Sequence, residues 1–149
     1  RSLWDREEIA RADELVRSAL LTQRFGPYTL QAAIAAVHAL APSSDATDWA
    51  EIVGLYDLLL TMMPSPIVAL NRAVAVAMRD GPQAGLQALE PLMEDATLHD
   101  YHLAHAARAD MHRRLGQREL ARSAYQAALE RASQPAEQRF LRQRLVELG

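Results

Sequence analysis

The sequence predicts an all-α fold, because apolar residues recur at helical spacing and the glycines and prolines fall between the periodic stretches. Half of the 149 residues are apolar, enough for one sizeable core. The clearest evidence lies at 101–129, where two periodic stretches flank Gly116. Ala121, Tyr125 and Ala128 there place small and large side chains on one face. We therefore expect two packed helices in this region.

Three helices are expected in the first 63 residues. The first covers about 5–21 and opens with a capping box. The second covers about 28–41 and is apolar nearly all round, so it should be central. The third starts at Thr47 or Asp48 and ends at Met63. Its expected core face comprises Trp49, Ile52, Val53, Tyr56, Leu59 and Leu60.

Prolines and glycines set the later boundaries. Pro66 suits a first helical position and Gly81 suits a left-handed C-terminal residue, which predicts a fourth helix over 66–80. The fifth, over 82–94, contains Pro91 and should kink or stop early, because proline removes a hydrogen bond. Its inward residues are Leu86, Leu89 and Met93. The last three helices are expected at about 99–115, at 117–132 and from Pro135 to Leu148, the last with Phe140, Leu141, Leu145 and Leu148 buried.

The predicted helices repeat in pairs. The pattern that begins at Tyr56 recurs at Tyr125, 69 residues later, which equals two units of about 34 residues, the length of a tetratricopeptide (TPR) repeat. In the middle unit, Leu86 and Glu90 take the places of Ala121 and Tyr125. We therefore expect one domain, residues 1–149, built as a TPR-like right-handed α-solenoid. Its three antiparallel helix pairs would be 28–63, 66–94 and 99–132, flanked by single helices.

Composition and charge exclude several classes of protein. Cysteine is absent, so disulfides are excluded and a cytoplasmic location is the simplest expectation. No apolar run approaches the roughly 20 residues of a bilayer span. Residues 1–100 carry 7 Arg and 14 acidic residues, whereas 101–149 carry 9 Arg and 5 acidic residues. This acidic chain with scattered arginines is a poor nucleic-acid binder. Its start at Arg1 suggests a fragment of a longer protein.

Candidate binding residues are the polar side chains on the first helix of each pair, since those helices line the concave face of such a stack. They are Gln31, His38, Asn71, Arg72, His102, His105, Arg108 and Asp110. One interpretation is structural, because buried polar groups are usually paired within the protein. In it, Asn71 caps a neighbouring helix, Arg72 pairs with a carboxylate and His38 is a satisfied core histidine. The other is a groove that accepts a peptide or a segment of the parent protein.

A metal site formed by His102, His105 and His112 is disfavoured, because their spacing spreads them over about 15 Å of helix. Catalytic motifs are missing as well: there is no glycine-rich phosphate loop, serine elbow, HExxH sequence or cysteine nucleophile. Tyr56 and Tyr125 are assigned to core packing. We therefore expect a protein that is not an enzyme and needs no cofactor or metal.

Five short sequence segments, or phrases, are more specific evidence than the helical periodicity. They are GPYTLQAAIAAVHA (26–39), TDWAEIVGLYDLLL (47–60), SPIVALNRAVAVA (65–77), DGPQAGLQAL (80–89) and YHLAHAARADMHRRLG (101–116). Together they resemble the TPR-like C-terminal extension of a subgroup of extracytoplasmic-function (ECF) sigma factors of the sigma-70 family. The resemblance implies a bacterial transcription initiation factor that contacts RNA polymerase. Promoter DNA would be bound only by sigma regions absent from this sequence.

Three functions are thus to be compared. The first is a regulatory domain that contacts its own sigma regions, RNA polymerase or a partner protein. The second is a free-standing TPR adaptor that binds peptide segments in its concave groove. The third is a small helical enzyme or metal protein built around the histidines. A helix-turn-helix encoded upstream would separate the first from the second.

Overall fold

The structure, a computed structural model, describes residues 27–40 and 47–149, and every regular element in these two ranges is helical. The predicted helix at 5–21 and the loop at 42–45 lie outside them. The chain divides into two compact units, 1–68 and 69–149. The helices are α1 (Pro27–Leu40), α2 (Trp49–Met62), α3 (Pro66–Asp80), α4 (Pro82–Leu89), α5 (Ala96–His99), α6 (His102–Arg114), α7 (Arg118–Arg131) and α8 (Pro135–Leu148), with a 3₁₀ helix at Glu90–Glu94.

In the first unit, α1 packs against α2. Asp48 is the N-cap of α2, as predicted, and its Oδ1 accepts a hydrogen bond from the Glu51 N–H at 3.1 Å. Apolar side chains of both helices form the core, among them Leu30, Ile34, Val37, Ile52, Val53 and Leu59. Trp49 and Tyr56, both expected in this core, are only half-buried. Burial still raises the pKa of the Tyr56 hydroxyl.

In the second unit, α4 turns back along α3 at Gly81, whose φ of 101° is readily adopted by glycine alone. The bounds of α3 match the prediction. Close approach of the two helices occurs at Gly85, where an added Cβ would overlap Ala77. Pro91 ends the regular helix early, as expected: α4 stops at Leu89 and continues as the 3₁₀ helix.

The predicted start of the sixth helix at residue 99 is three residues too early. Asp95 caps the separate short helix α5 by accepting a hydrogen bond from the Thr97 N–H at 2.8 Å. The backbone then becomes extended at Tyr101, so α6 starts at His102. A second glycine, Gly116 with φ of 76°, ends the turn between α6 and α7 as predicted. There the Gln117 N–H donates to the His112 carbonyl at 2.9 Å, a Schellman C-cap.

The core of the second unit lies between α6, α7 and α8. Tyr125 is its largest side chain and is 1% exposed, in agreement with its predicted core role. The alanines around it bring the helices close together. This cluster comprises Ala109, Ala121, Ala124, Tyr125, Ala128, Ala132, Leu141 and Leu148.

Two core assignments made from the sequence are wrong. Phe140 was expected to be buried but is 54% exposed, and the side chain that enters the core between α6, α7 and α8 is that of the neighbouring Leu141. In the middle pair, Glu90 is exposed and cannot correspond to Tyr125. The buried residue is Leu89, preceded by Gly85. The helices α3 and α6 start 36 residues apart, at 66 and 102.

Candidate functional site

Helix α6 carries four of the eight candidate residues, on different faces. Its first turn faces α8, and its buried middle faces α5 and α7. The exposed arginine side reaches the 3₁₀ helix after α4. Since these faces diverge, the candidates on α6 form separate contacts rather than one polar site.

His105 lies on the buried face and is 5% exposed. Its Nε2 lies 2.6 Å from the carbonyl oxygen of His99, which also accepts a hydrogen bond from Arg131 Nε at 2.9 Å. A carbonyl only accepts, so Nε2 carries the hydrogen. Desolvation lowers the pKa of His105, and the nearby charges of Arg131 and Arg108 act in the same direction. The neutral ring therefore holds a lone pair on Nδ1, which is buried and has no hydrogen-bond partner.

Arg108 and Asp110 are each engaged in ion pairs. Arg108 Nε donates to Glu90 Oε1 at 2.7 Å, joining α6 to the 3₁₀ helix. Asp110 accepts a hydrogen bond from Arg113 Nη2 at 2.5 Å, and this contact raises the pKa of Arg113. Arg113 Nε also donates to the Tyr125 hydroxyl at 3.3 Å. Asp110 thus helps to orient the guanidinium group that satisfies the one polar atom of the core tyrosine.

The remaining candidate on α6, His102, contacts α8. Its Nε2 pairs with Oε2 of Glu137, and both residues lie in the first turn of their helices. Beyond this pair, a groove of about 290 Å³ runs between α6 and α8. His102 and Glu137 are part of its lining, and the rest of the lining is apolar: Leu103, Ala106, Ala136, Phe140 and Leu141. Leu103 is 48% exposed, so two large apolar side chains are open to solvent beside the groove.

A wider and more polar depression of about 480 Å³ lies between α4, the 3₁₀ helix and the start of α7. His112 lies at its base and donates from Nδ1 to Gln117 Oε1 at 2.8 Å. Three amide side chains line it, Gln83, Gln87 and Gln117. Glu90 also lines the depression and is paired with Arg108, so the groups that it presents are mainly amides.

The comparisons with known proteins yield a relative without an assigned activity. An uncharacterized protein of Rhizobium meliloti (strain 1021) is 43% identical over all 149 residues of this chain. The chain spans 35% of that relative's length. No family model matches the chain, and no solved structure matches it.

Four candidate residues lie on other helices. Gln31 and His38, on α1 in the first unit, are both exposed, so the interpretation of His38 as a core histidine is wrong. Its ring instead packs edge-on against Trp49, with centroids 5.2 Å apart. In the second unit, Asn71 is exposed on α3 and caps no helix in the described part of the chain, whereas Arg72 is half-buried.

Among the described residues, no three His, Cys, Asp or Glu side chains converge as metal ligands. Nor is any described helix both long and apolar enough to cross a membrane. The feature that the sequence interpretation missed is the groove between α6 and α8. The sequence carries no signal that separates Phe140 from a buried residue, since adjacent apolar residues of a helix can both be buried, as Ile52 and Val53 are.

Proposed function

We propose that this chain is the TPR-like C-terminal extension of a bacterial ECF sigma factor. In this proposal it is a cytoplasmic, non-enzymatic domain that modulates transcription initiation. It contacts the sigma regions of its own polypeptide, RNA polymerase or a partner protein, and promoter DNA is bound by the sigma regions alone. The observation that carries the proposal is the resemblance of five ordered phrases, which fall in sequence order on the helices α1, α2, α3, α4 and α6.

The TPR-like architecture is supported by the recurrence of one helix pair. The pair α3 and α4 starts at 66 and 82, and the pair α6 and α7 starts at 102 and 118, so both offsets are 36 residues. This is close to the 34-residue TPR period. In each pair the second helix places a small buried residue four positions before a large one: Gly85 and Leu89, then Ala121 and Tyr125. That spacing matches the A-x₃-F element of the repeat.

Two further facts favour a domain that acts within a larger protein by contact. The relative from Rhizobium meliloti contains this region within a much longer chain. The exposed surface of the second unit also combines an apolar groove with an excess of arginine over acidic residues at 101–149. Repeat domains with such surfaces bind protein segments, and reaction chemistry is rare among them.

The decisive experiment uses the complete gene. The full-length protein and a version lacking these 149 residues are compared in transcription assays with purified RNA polymerase, and binding of the isolated chain to the sigma regions is measured. We expect deletion to change promoter-dependent transcription by at least about fivefold, the range of a typical coupling free energy. Unchanged transcription together with no detectable contact would refute the proposal.

A free-standing TPR adaptor is the second candidate, favoured by the groove between α6 and α8. The two candidates differ in what is encoded upstream. A helix-turn-helix region in the same gene supports the sigma factor, whereas an unrelated domain or a separate start codon immediately upstream supports the adaptor.

A further inference from the structure

The groove between α6 and α8 leaves two large apolar side chains open to solvent beside a concave and mostly apolar surface. Leu103 and Phe140 are each about half exposed, and Ala106 and Ala136 leave room between them. The volume of about 290 Å³ lies at the lower limit of small-molecule sites, and the lining offers few polar groups to orient a cofactor. Such a space suits apolar side chains of a protein segment better than a cofactor.

Charge defines which segment would fit. Two of the three acidic side chains on α6 and α8 pair with arginines, Asp110 with Arg113 and Glu147 with Arg144. The third, Glu137 in the groove lining, contacts His102, which carries a charge only when it is protonated. By contrast, three arginines on these helices are exposed and form no ion pair within the described ranges. They are Arg114, Arg139 and Arg142. The two helices that form the groove carry six arginines and three acidic residues, so together they present net positive charge.

Arg144 brings a further positive charge to the groove itself. Its guanidinium carbon lies 5.1 Å from the centroid of the Phe140 ring, one helical turn away, in cation–π geometry. Its Nη1 lies 3.1 Å from Glu147 Oε2. A carboxylate placed one turn beyond an apolar side chain in the groove would meet this guanidinium group.

We propose that the groove between α6 and α8 binds an acidic amphipathic helix from a partner protein segment. Apolar side chains of that helix contact Leu103 and Phe140, and its flanking carboxylates face Arg144 and the unpaired arginines. Helices bind grooves in this way through anchors at helical spacing, and the opposite charges select the partner. The inference specifies the partner chemistry for the contact role proposed above and rests on that role.

The test uses the 149-residue chain and two synthetic 16-residue peptides. Both peptides place leucines at helical spacing; one has glutamates on the flanks and the other has lysines at the same positions. In fluorescence anisotropy, we expect the acidic peptide to bind at least about tenfold more tightly than the basic peptide. Its affinity should fall as the salt concentration rises. Equal affinity for both peptides, or no binding of either, would overturn the proposal.

Matched variants locate the binding. Phe140→Ser should weaken binding of the acidic peptide by about tenfold or more, as expected for loss of an anchor. Val146→Ser removes a side chain that is 72% exposed on the same helix but outside the groove lining, and should change affinity less than about twofold. Arg144→Gln should reduce both affinity and salt dependence, whereas Arg118→Gln, on α7, should not. Equal effects of the groove and control variants would contradict the assignment.

Two controls separate this inference from other outcomes. Circular dichroism of each variant checks that it folds, and sedimentation of the chain alone checks for self-association. A dimer that Phe140→Ser dissociates would make the groove an interface between two copies and would overturn the proposal. If groove variants leave transcription unchanged while deletion of the whole chain alters it, this inference fails and the proposed function stands. If the acidic peptide binds in the groove but deletion of the whole chain leaves transcription unchanged, the groove assignment stands and the proposed function fails.

Discussion

Replacing Gly85 by alanine tests whether α3 and α4 pack as closely as the structure shows. A Cβ at this position would overlap the Ala77 side chain, would lie 3.0 Å from the Ala77 Cα, and would lie 3.1 Å from Met111 Cε. The methionine side chain can move, but the Ala77 backbone cannot move without shifting α3. Overpacking of this kind destabilises the folded state by about 1–3 kcal/mol. The better helix propensity of alanine offsets up to about 1 kcal/mol of this loss.

We therefore expect Gly85→Ala to lower the free energy of unfolding by about 1–2 kcal/mol. Gly54→Ala is the matched control, because Gly54 lies within α2 and nothing lies within 4 Å of the added Cβ. That variant should be more stable than the parent by about 0.5–1 kcal/mol. Urea unfolding followed by circular dichroism measures both differences.

A second substitution separates overpacking from other causes. Ala77→Gly removes the side chain that the new Cβ would overlap, so the double variant Gly85→Ala with Ala77→Gly should be more stable than the sum of its single effects predicts. The coupling should be about 1 kcal/mol or more. If Gly85→Ala stabilises the chain as much as Gly54→Ala does, the close approach of α3 and α4 described here is incorrect.

Three further predictions concern α6 and α7. Tyr125→Phe removes the acceptor of the Arg113 hydrogen bond and should cost about 0.5–1.5 kcal/mol in urea unfolding, whereas Tyr125→Ala should cost about 3–5 kcal/mol because it leaves a cavity. The lowered pKa of His105 means that the unfolded state binds more protons once the pH falls below about 6.5. Stability should accordingly decrease from that pH down to the folded-state pKa, and His105→Gln should remove this part of the pH dependence in thermal melts. Gly116→Ala introduces a side chain at a φ of 76° and should lower stability by about 1–2 kcal/mol in urea unfolding, although no atom lies near the new Cβ.

Local signals in the sequence predicted helix ends better than they predicted helix faces. Asp48, Pro66, Gly81 and Gly116 act through their own backbone or capping atoms, so their effect does not depend on distant residues. The same holds for Pro91, which ended α4 near the expected place. These positions were therefore predictable without knowledge of the tertiary structure.

Burial was harder to predict because it depends on which neighbour covers each face. Leu141 and Phe140 are equally apolar, and only the position of α7 decides that the first is buried and the second is exposed. Similarly, the sequence pattern did not show that Glu90, which was matched to Tyr125, is exposed and that the neighbouring Leu89 is buried.

The candidate site shows the same limit, since polar residues were selected for lying on inner helices rather than for being available. On α6, Arg108 and Asp110 already have ion-pair partners. If a ligand replaced these part-exposed partners, the free energy of binding would change by only about 0–1 kcal/mol. Covering Leu103 and Phe140, each about half exposed, would contribute about half of the 1.5–3 kcal/mol that full burial gives each side chain. Affinity at this surface should therefore come mainly from the two apolar residues. The unpaired arginines on α6 and α8 would chiefly determine which partner binds, because charge affects specificity and encounter more than affinity.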